Sequence, residues 1–192
     1  PAPAPAPSPP TEDAHAHATT TPPTTTFAGP ALLKTLLEEL DPVALEPLLA
    51  SFAALDADAL VDASTRSAAT ARAVEAMFTP RSGVALTQMK PHLRAFFKAL
   101  RGRWADVACH YIGVHVVEHA FDGAPSDPAA KELAEELVRA KDRLVGAGRF
   151  GAKLAEKLKL DLLRRDEASW LAWLKKRVKR TRDLAAFVQE MS

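Results

Sequence analysis

The chain has 192 residues, with 25 Lys and Arg against 24 Asp and Glu, a formal net charge of +1 and 47% hydrophobic residues. This length suits one domain with enough apolar material for a core. A single cysteine, Cys109, excludes an internal disulfide and a zinc site built from cysteines. No stretch approaches the ~18 consecutive apolar residues of a membrane span, so we expect no membrane partner.

The net charge hides an uneven distribution along the chain. Residues 101–140 contain 4 basic and 7 acidic residues, whereas residues 141–180 contain 13 basic and 5 acidic residues, a net charge of +8. Such a block creates a local positive field and favours a polyanionic partner. Because the chain begins at Pro1 without an initiator methionine or a leader, we expect it to be a segment of a longer polypeptide.

The N-terminal 30 residues have the composition of a linker. Nine of the 15 prolines lie there, beside Ala-Pro alternation and two threonine runs. Proline removes backbone donors, and this segment has almost nothing apolar to bury against the entropy cost of ordering. We predict a disordered Pro/Thr/Ala-rich linker over residues 1–30.

Helical periodicity begins at residue 31. Apolar residues recur at helical spacing, for example in 32–40, 45–55 and 170–187. Asp41-Pro42 and Asp127-Pro128 are typical of helix starts, and Pro91 is expected to open a further helix. The sequence contains no convincing alternating strand pattern, so the prediction is an all-α fold.

Three segments of the chain align on a central glutamate. These glutamates, Glu75, Glu118 and Glu156, are 43 and then 38 residues apart. A hydrophobic anchor and a turn of small residues precede each one. A period near 40 residues with three helices per unit predicts an α-solenoid, in which equivalent helices line one concave surface.

The segment Trp104 to Phe121, WADVACHYIGVHVVEHAF, resembles a pumilio (PUF) repeat. The basic ending of the third unit, Leu158 to Trp170, is similar to the C-terminal repeats of the divergent nucleolar pumilio-like proteins, which work in small-subunit ribosomal RNA processing. The resemblance implies pumilio-like repeats over 31–176 and a C-terminal helix end at 177–192. Complete units are expected at about 58–103, 104–141 and 142–176, with 31–57 as the end of another.

The resemblance also implies which residues contact RNA. In PUF proteins the first and fifth residues of a five-residue motif contact base edges, and the second stacks on the bases. The corresponding positions here are Ala71, Arg72 and Glu75; Val114, His115 and Glu118; and Ala152, Lys153 and Glu156. Ala or Val replaces the polar first residue that is usual in the family, so we expect shape-dependent binding instead of a code of one base per repeat.

The basic block gives an independent reason to expect RNA. Cations on or after the third motif would contact phosphates, which supply most of the affinity; they are Arg149, Lys153, Lys157, Arg164 and Arg165. The run Lys175 to Arg180 fits phosphate contacts, a nuclear-import signal or a solvated helix face.

We therefore expect a non-enzymatic RNA-binding protein of the nucleus and nucleolus that requires no cofactor. Its expected partners are pre-rRNA and the remaining repeats, which belong to the same polypeptide or to a partner chain. One alternative is a helical-repeat scaffold that binds proteins and not RNA. This alternative is favoured by the apolar first motif positions and the acidic middle of the chain.

A remote alternative is a zinc hydrolase. His115, Glu118 and His119 match the H-x-x-E-H pattern of inverted zinc peptidases. However, no third ligand is evident, and Glu75 and Glu156 occupy the position of Glu118 in repeats without these histidines. We expect no metal site, and we expect the three tryptophans, Trp104, Trp170 and Trp173, to pack in the core rather than stack on bases.

Overall fold

The computed structural model describes residues 28–39, 42–78 and 83–190, and every regular element within them is a helix. Most of the predicted linker, residues 1–27, lies outside the described residues, as does Asp41. No helix in the described part of the chain is long and apolar enough to cross a membrane. The helices are α1 (Ala28–Glu39), α2 (Pro42–Ala53), α3 (Ala57–Thr65), α4 (Ala68–Met77), α5 (Gly83–Ala99), α6 (Trp104–Ala108), α7 (Gly113–Asp122), α8 (Asp127–Arg139), α9 (Lys141–Gly146), α10 (Arg149–Lys157), α11 (Leu160–Arg165) and α12 (Glu167–Glu190).

The helices stack in three rows. Helices α1, α4, α7 and α10 pack one against the next, and we call them the recognition row. Helix α2 packs on α5 and α8 packs on α11 in a second row, while the short helices α3, α6 and α9 follow one another in a third. Each repeat contributes one helix to each row, which confirms the predicted solenoid of three-helix repeats. Helices α1 and α2 occupy the positions of the last two helices of a preceding unit.

Local signals explain where several of these helices begin. The side chains of Asp56, Ser67 and Ser126 each accept a hydrogen bond from a backbone N–H in the first turn of α3, α4 and α8, at 2.8, 3.1 and 3.4 Å. Such caps satisfy donors that have no partner within the helix. The cap of α8 is therefore Ser126, one residue before the predicted Asp127.

The apolar faces of all three rows meet in one continuous core. Phe96 and Phe97 lie against Trp104 with ring centroids 6.3 and 5.0 Å apart. Trp170 is fully buried, and its indole N–H donates to the carbonyl of Leu158 at 2.9 Å. Trp173 is half-buried beside it. The tryptophans thus belong to the core, as the amphipathic spacing predicts.

Three helix boundaries differ from the sequence prediction. Helix α1 begins at Ala28, inside the segment assigned to the linker, and α12 continues through residue 176 without a break. Pro91 lies inside α5 and does not open it, so that prediction is wrong. A proline removes one backbone donor, but the neighbouring turns are held by tertiary packing because Met89 and Leu93 are buried on either side.

Ion pairs connect successive short helices. Arg103, just before α6, pairs with Asp58 of α3 at 2.6 Å and with Asp106 of α6 at 2.7 Å, and Arg143 of α9 pairs with Asp106 at 2.8 Å. Hydrogen bonds from Arg143 and Arg103 hold the pKa of Asp106 below its usual value. These charges are therefore engaged in aligning one repeat with the next.

Two glycines allow the short helices to approach the recognition row. A Cβ atom at Gly113 would lie 2.2 Å from the carbonyl oxygen of Val107, and one at Gly151 would lie 2.0 Å from that of Leu144. Both glycines lie five residues before a motif glutamate, Glu118 or Glu156. The same backbone contact therefore recurs in two successive repeats and leaves no room for a side chain.

Replacing Gly113 or Gly151 with alanine is expected to lower the free energy of unfolding by about 1–3 kcal/mol, because the added methyl group forces the two backbones apart. Urea denaturation would measure the decrease. Gly146→Ala is the matched control: a Cβ there meets no atom within 4 Å, so stability should stay unchanged or rise slightly. Equal decreases from all three substitutions would contradict this account of the close approach.

Candidate nucleic-acid interface

The motif positions of the three repeats lie on the recognition row. Residues 71–75, 114–118 and 152–156 belong to α4, α7 and α10, which stack consecutively. Equivalent positions of neighbouring repeats are therefore juxtaposed, as the alignment on the three glutamates predicts. The individual positions differ in how far they reach solvent.

The first motif positions are largely withdrawn from the surface. Ala71 is 1% exposed and Val114 is 5% exposed, while Ala152 is half-buried. Small apolar side chains here permit close stacking of α4, α7 and α10. Ala71 and Val114 can offer a base only an apolar wall, because they lack polar atoms and are covered by their neighbours.

The second motif positions are all exposed. Arg72, His115 and Lys153 project from α4, α7 and α10. The guanidinium of Arg72 and the imidazole of His115 are planar groups on which a nucleobase can stack. Lys153 offers a point charge suited to a phosphate.

A groove lies between α4 and α7 and is closed by the start of α10. Its volume is about 420 Å³, and its floor is apolar where Ala71 and Ile112 line it. Planar groups and one carboxylate surround this floor. The lining residues are Ala68, Ala71, Arg72, Glu75, Tyr111, Ile112, His115 and Phe150.

Two aromatic residues of this groove were missed by the motif alignment. Tyr111 is 64% exposed and lies 4.8 Å from His110 between ring centroids. Phe150 lies 6.5 Å from His115 in an edge-on arrangement, and the Arg149 guanidinium lies 4.8 Å from its ring centre. Both aromatics stand in the turns that precede the close-approach glycines, two residues before Gly113 and one residue before Gly151, which is the signal that could have found them.

The fifth motif positions are not equivalent in the folded chain. The carboxylate of Glu118 on α7 pairs with the ammonium of Lys157 at the end of α10. Partial burial, together with the nearby charge of Arg177, lowers the pKa of Lys157. Glu75 has no such ion pair or hydrogen bond among the described residues, and its half-buried carboxylate lines the groove.

A family model described as the NOP9-like PUF repeat domain matches residues 3–150, more than half of the chain. The chain belongs to the NOP9-like PUF repeat family. The predicted resemblance to divergent pumilio-like repeats is thereby confirmed. A search of curated proteins found no match.

Solved structures with the same fold as this PUF domain include three of APUM23. APUM23–GGAUUUGACGG aligns with a TM-score of 0.64 and 22% identity over 77% of this chain and 26% of that chain. APUM23–GGAGUUGACGG and APUM23–GGAAUUGACGG align with TM-scores of 0.62 and 0.63, each at 22% identity over 75% of this chain and 25% of that chain. The PUF domain thus spans about a quarter of the length of the APUM23 chains.

The basic residues predicted to bind phosphate fall into three groups in the PUF domain. Arg149 and Lys153 are exposed on α10, in the recognition row. Lys157 is also on α10, but its ammonium is turned back on Glu118. Arg164 and Arg165 are exposed on α11, which lies in the second row against α8. The structure therefore brings only Arg149 and Lys153 to the row that carries the groove.

The described residues give no support to the zinc alternative. Among them, no group of three or more His, Cys, Asp and Glu side chains is placed to hold a metal ion. Glu118, which would have to act as the base, is paired with Lys157. His115 contributes to the aromatic groove instead.

Proposed function

We propose that this PUF domain binds single-stranded RNA along the recognition row and holds a base in the groove between α4 and α7. The observation that carries the proposal is the groove itself, where planar side chains surround an apolar floor beside a carboxylate. The solved relatives of this fold were determined with uracil-containing sequences such as GGAUUUGACGG, so RNA is the natural ligand class to test. Residues from two different helices and from the turns before α7 and α10 converge there.

In this proposal each group of the groove has a separate task. Arg72, His115, Tyr111 and Phe150 stack on or flank the base, and Arg149 and Lys153 contact phosphates. Glu75 accepts hydrogen bonds from a donor edge of the base. Stacking on a single side chain contributes about 1–3 kcal/mol per base, which is enough to hold a flexible single strand when phosphate contacts are added.

The cellular role that fits this chemistry is pre-rRNA processing in the nucleolus, by a factor without enzymatic activity of its own. The support is the NOP9-like family match and the basic C-terminal block. Because few repeats make a short binding track, we propose that further repeats, on the same polypeptide or on a partner chain, extend it.

Removing the exposed ring at position 111 together with that at 115 tests the proposal directly. Tyr111→Ala/His115→Ala is expected to weaken binding of the RNA GGAUUUGACGG by about tenfold or more, because stacking contributes about 1–3 kcal/mol per base. Fluorescence anisotropy at a series of salt concentrations would measure affinity and salt dependence. Val145→Ala, an exposed apolar truncation on α9 away from the groove, should leave affinity unchanged.

Two results would overturn the RNA proposal. One is wild-type protein that binds no RNA even at low salt, and the other is a Tyr111/His115 variant that binds as tightly as wild type. The first result would instead favour a helical-repeat scaffold for protein partners.

The two motif glutamates are expected to respond differently to substitution. Glu75→Gln should change the preference among RNAs that differ at the grooved base by about tenfold, since hydrogen bonds to a charged group contribute about 1.5–3 kcal/mol. Glu118→Gln should leave base preference unchanged and cost about 0–1 kcal/mol of stability, because its carboxylate serves an ion pair at the surface. Competition binding with RNAs substituted at one position would separate the two. A shift in preference from Glu118→Gln as large as that from Glu75→Gln would contradict the assignment.

A further inference from the structure

Helix α12 carries a basic surface that lies outside the recognition row. Five of the six residues from Lys175 to Arg180 are basic and none is acidic. Four of these cations are exposed and have no ion pair among the described residues: Lys175, Lys176, Lys179 and Arg180. We call Lys176, Lys179 and Arg180 the α12 strip, because their spacing of three and four residues puts them on one face of the helix.

The fifth cation, Arg177, anchors the helix to the solenoid. Its guanidinium makes two hydrogen bonds to the Asp122 carboxylate, at 2.7 and 2.9 Å, and a third to the carbonyl of Lys157 at 3.3 Å. It also lies 5.5 Å from the ring centres of Phe121 and Trp173. A residue so engaged belongs to the fold, and its position determines where the α12 strip can lie.

These contacts place the middle of α12 beside the recognition row. Asp122 is the last residue of α7, and Lys157 is the last residue of α10. Arg177 therefore lies at the C-terminal ends of the two helices, and the α12 strip flanks it in sequence. The strip borders a shallow depression of about 390 Å³, lined by Lys176, Lys179, Arg180 and Asp183.

We propose that the α12 strip is a second nucleic-acid contact, which binds the phosphodiester backbone of RNA as the strand leaves the recognition row. This inference rests on the proposed function and extends it to a surface outside the base groove. Three cations on one helical face fit successive phosphates of a strand, and the displaced counterions supply the free energy. The depression has no aromatic lining, so the contact reads the charge of the backbone and not the identity of the bases.

The anchoring by Arg177 favours RNA over a nuclear-import receptor as the occupant. A receptor that reads the basic run as one continuous peptide segment needs Arg177 as well as its neighbours. Here the guanidinium of Arg177 is held by Asp122, and only the helical face remains available. A strand of phosphates needs that face alone.

The test compares the wild-type 192-residue chain with Lys176→Glu/Lys179→Glu/Arg180→Glu. RNAs of about five and about fifteen nucleotides are used, since single-strand sites of this kind cover roughly 4–16 nucleotides. The triple variant should bind the short RNA as wild type does and bind the long RNA more weakly. The slope of log affinity against log salt for the long RNA should fall by about 0.7 for each phosphate that the variant no longer neutralises, or about two for all three.

The matched control reverses three exposed cations of the second row, Arg94, Lys98 and Arg139, on α5 and α8. This variant changes net charge by the same amount and should retain most of the wild-type salt slope. Thermal unfolding of both variants checks that α12 stays folded. Equal long-RNA affinity and slope in wild type and the strip variant would overturn the inference while leaving the base groove intact, including when the strip variant loses only nuclear import. Wild-type protein that binds neither RNA would overturn the proposed function and this inference with it.

Discussion

Replacing Glu136 with alanine is expected to lower the free energy of unfolding by about 2–4 kcal/mol, since each buried polar group left without a partner costs about 1–3 kcal/mol. Glu136 lies on α8 and is only 8% exposed. Its carboxylate accepts hydrogen bonds from the backbone N–H groups of Gly102 and Ala105 at 2.8 and 3.2 Å. It thereby caps the start of α6, which has no side-chain cap of its own.

Urea denaturation at neutral pH would measure this decrease. Glu132→Ala on the same helix is the matched control, because Glu132 is about half exposed and pairs with the exposed Arg101. A surface pair of this kind contributes about 0–1 kcal/mol. If the two substitutions cost the same, the buried carboxylate does not stabilise the start of α6.

Arg177→Lys is expected to destabilise the docking of α12 by about 1.5–3 kcal/mol, the usual range for hydrogen bonds to a charged group. Lysine keeps the charge but cannot form the paired hydrogen bonds to Asp122 or present a planar surface to Phe121 and Trp173. Hydrogen exchange along α12 together with urea denaturation would measure the effect. Arg180→Lys, at an exposed position on the same helix, is the control and should change neither.

A double-mutant cycle assigns the effect to the contact with Asp122. Asp122→Asn alone should cost a similar amount, and adding it to Arg177→Lys should cost little more, because the two side chains share one interaction. Strictly additive effects would show that Arg177 and Asp122 stabilise the protein independently.

The helical architecture was predictable because its signals are local. Serine and aspartate caps, prolines near helix starts and apolar spacing act within a few residues, so the three-helix units and the juxtaposition of Glu75, Glu118 and Glu156 follow from the sequence. Pro91 is the instructive exception. Its local signal predicts a helix start, but α5 passes through it because the residues on both sides are buried in the core.

The candidate site was predictable only in part. The exposed second positions, Arg72, His115 and Lys153, follow from helix periodicity and the repeat alignment. Tyr111 and Phe150 reach the groove from turns in two different repeats, so no single motif contains both. The ion pair of Glu118 with Lys157 joins residues 39 positions apart and distinguishes two glutamates that look equivalent in the alignment.

The charge block shows the same division between local and tertiary information. The sequence alone determined that the region is basic and that it forms helices, because both properties depend on composition and short-range spacing. Only the tertiary structure decided which of those charges are available to a ligand. Arg143, Lys157 and Arg177 are paired with carboxylates of neighbouring repeats, whereas Lys176, Lys179 and Arg180 have no such ion pair among the described residues. The physical reason is that stacking brings together side chains some forty residues apart, and it is this packing that neutralises some charges and leaves others exposed.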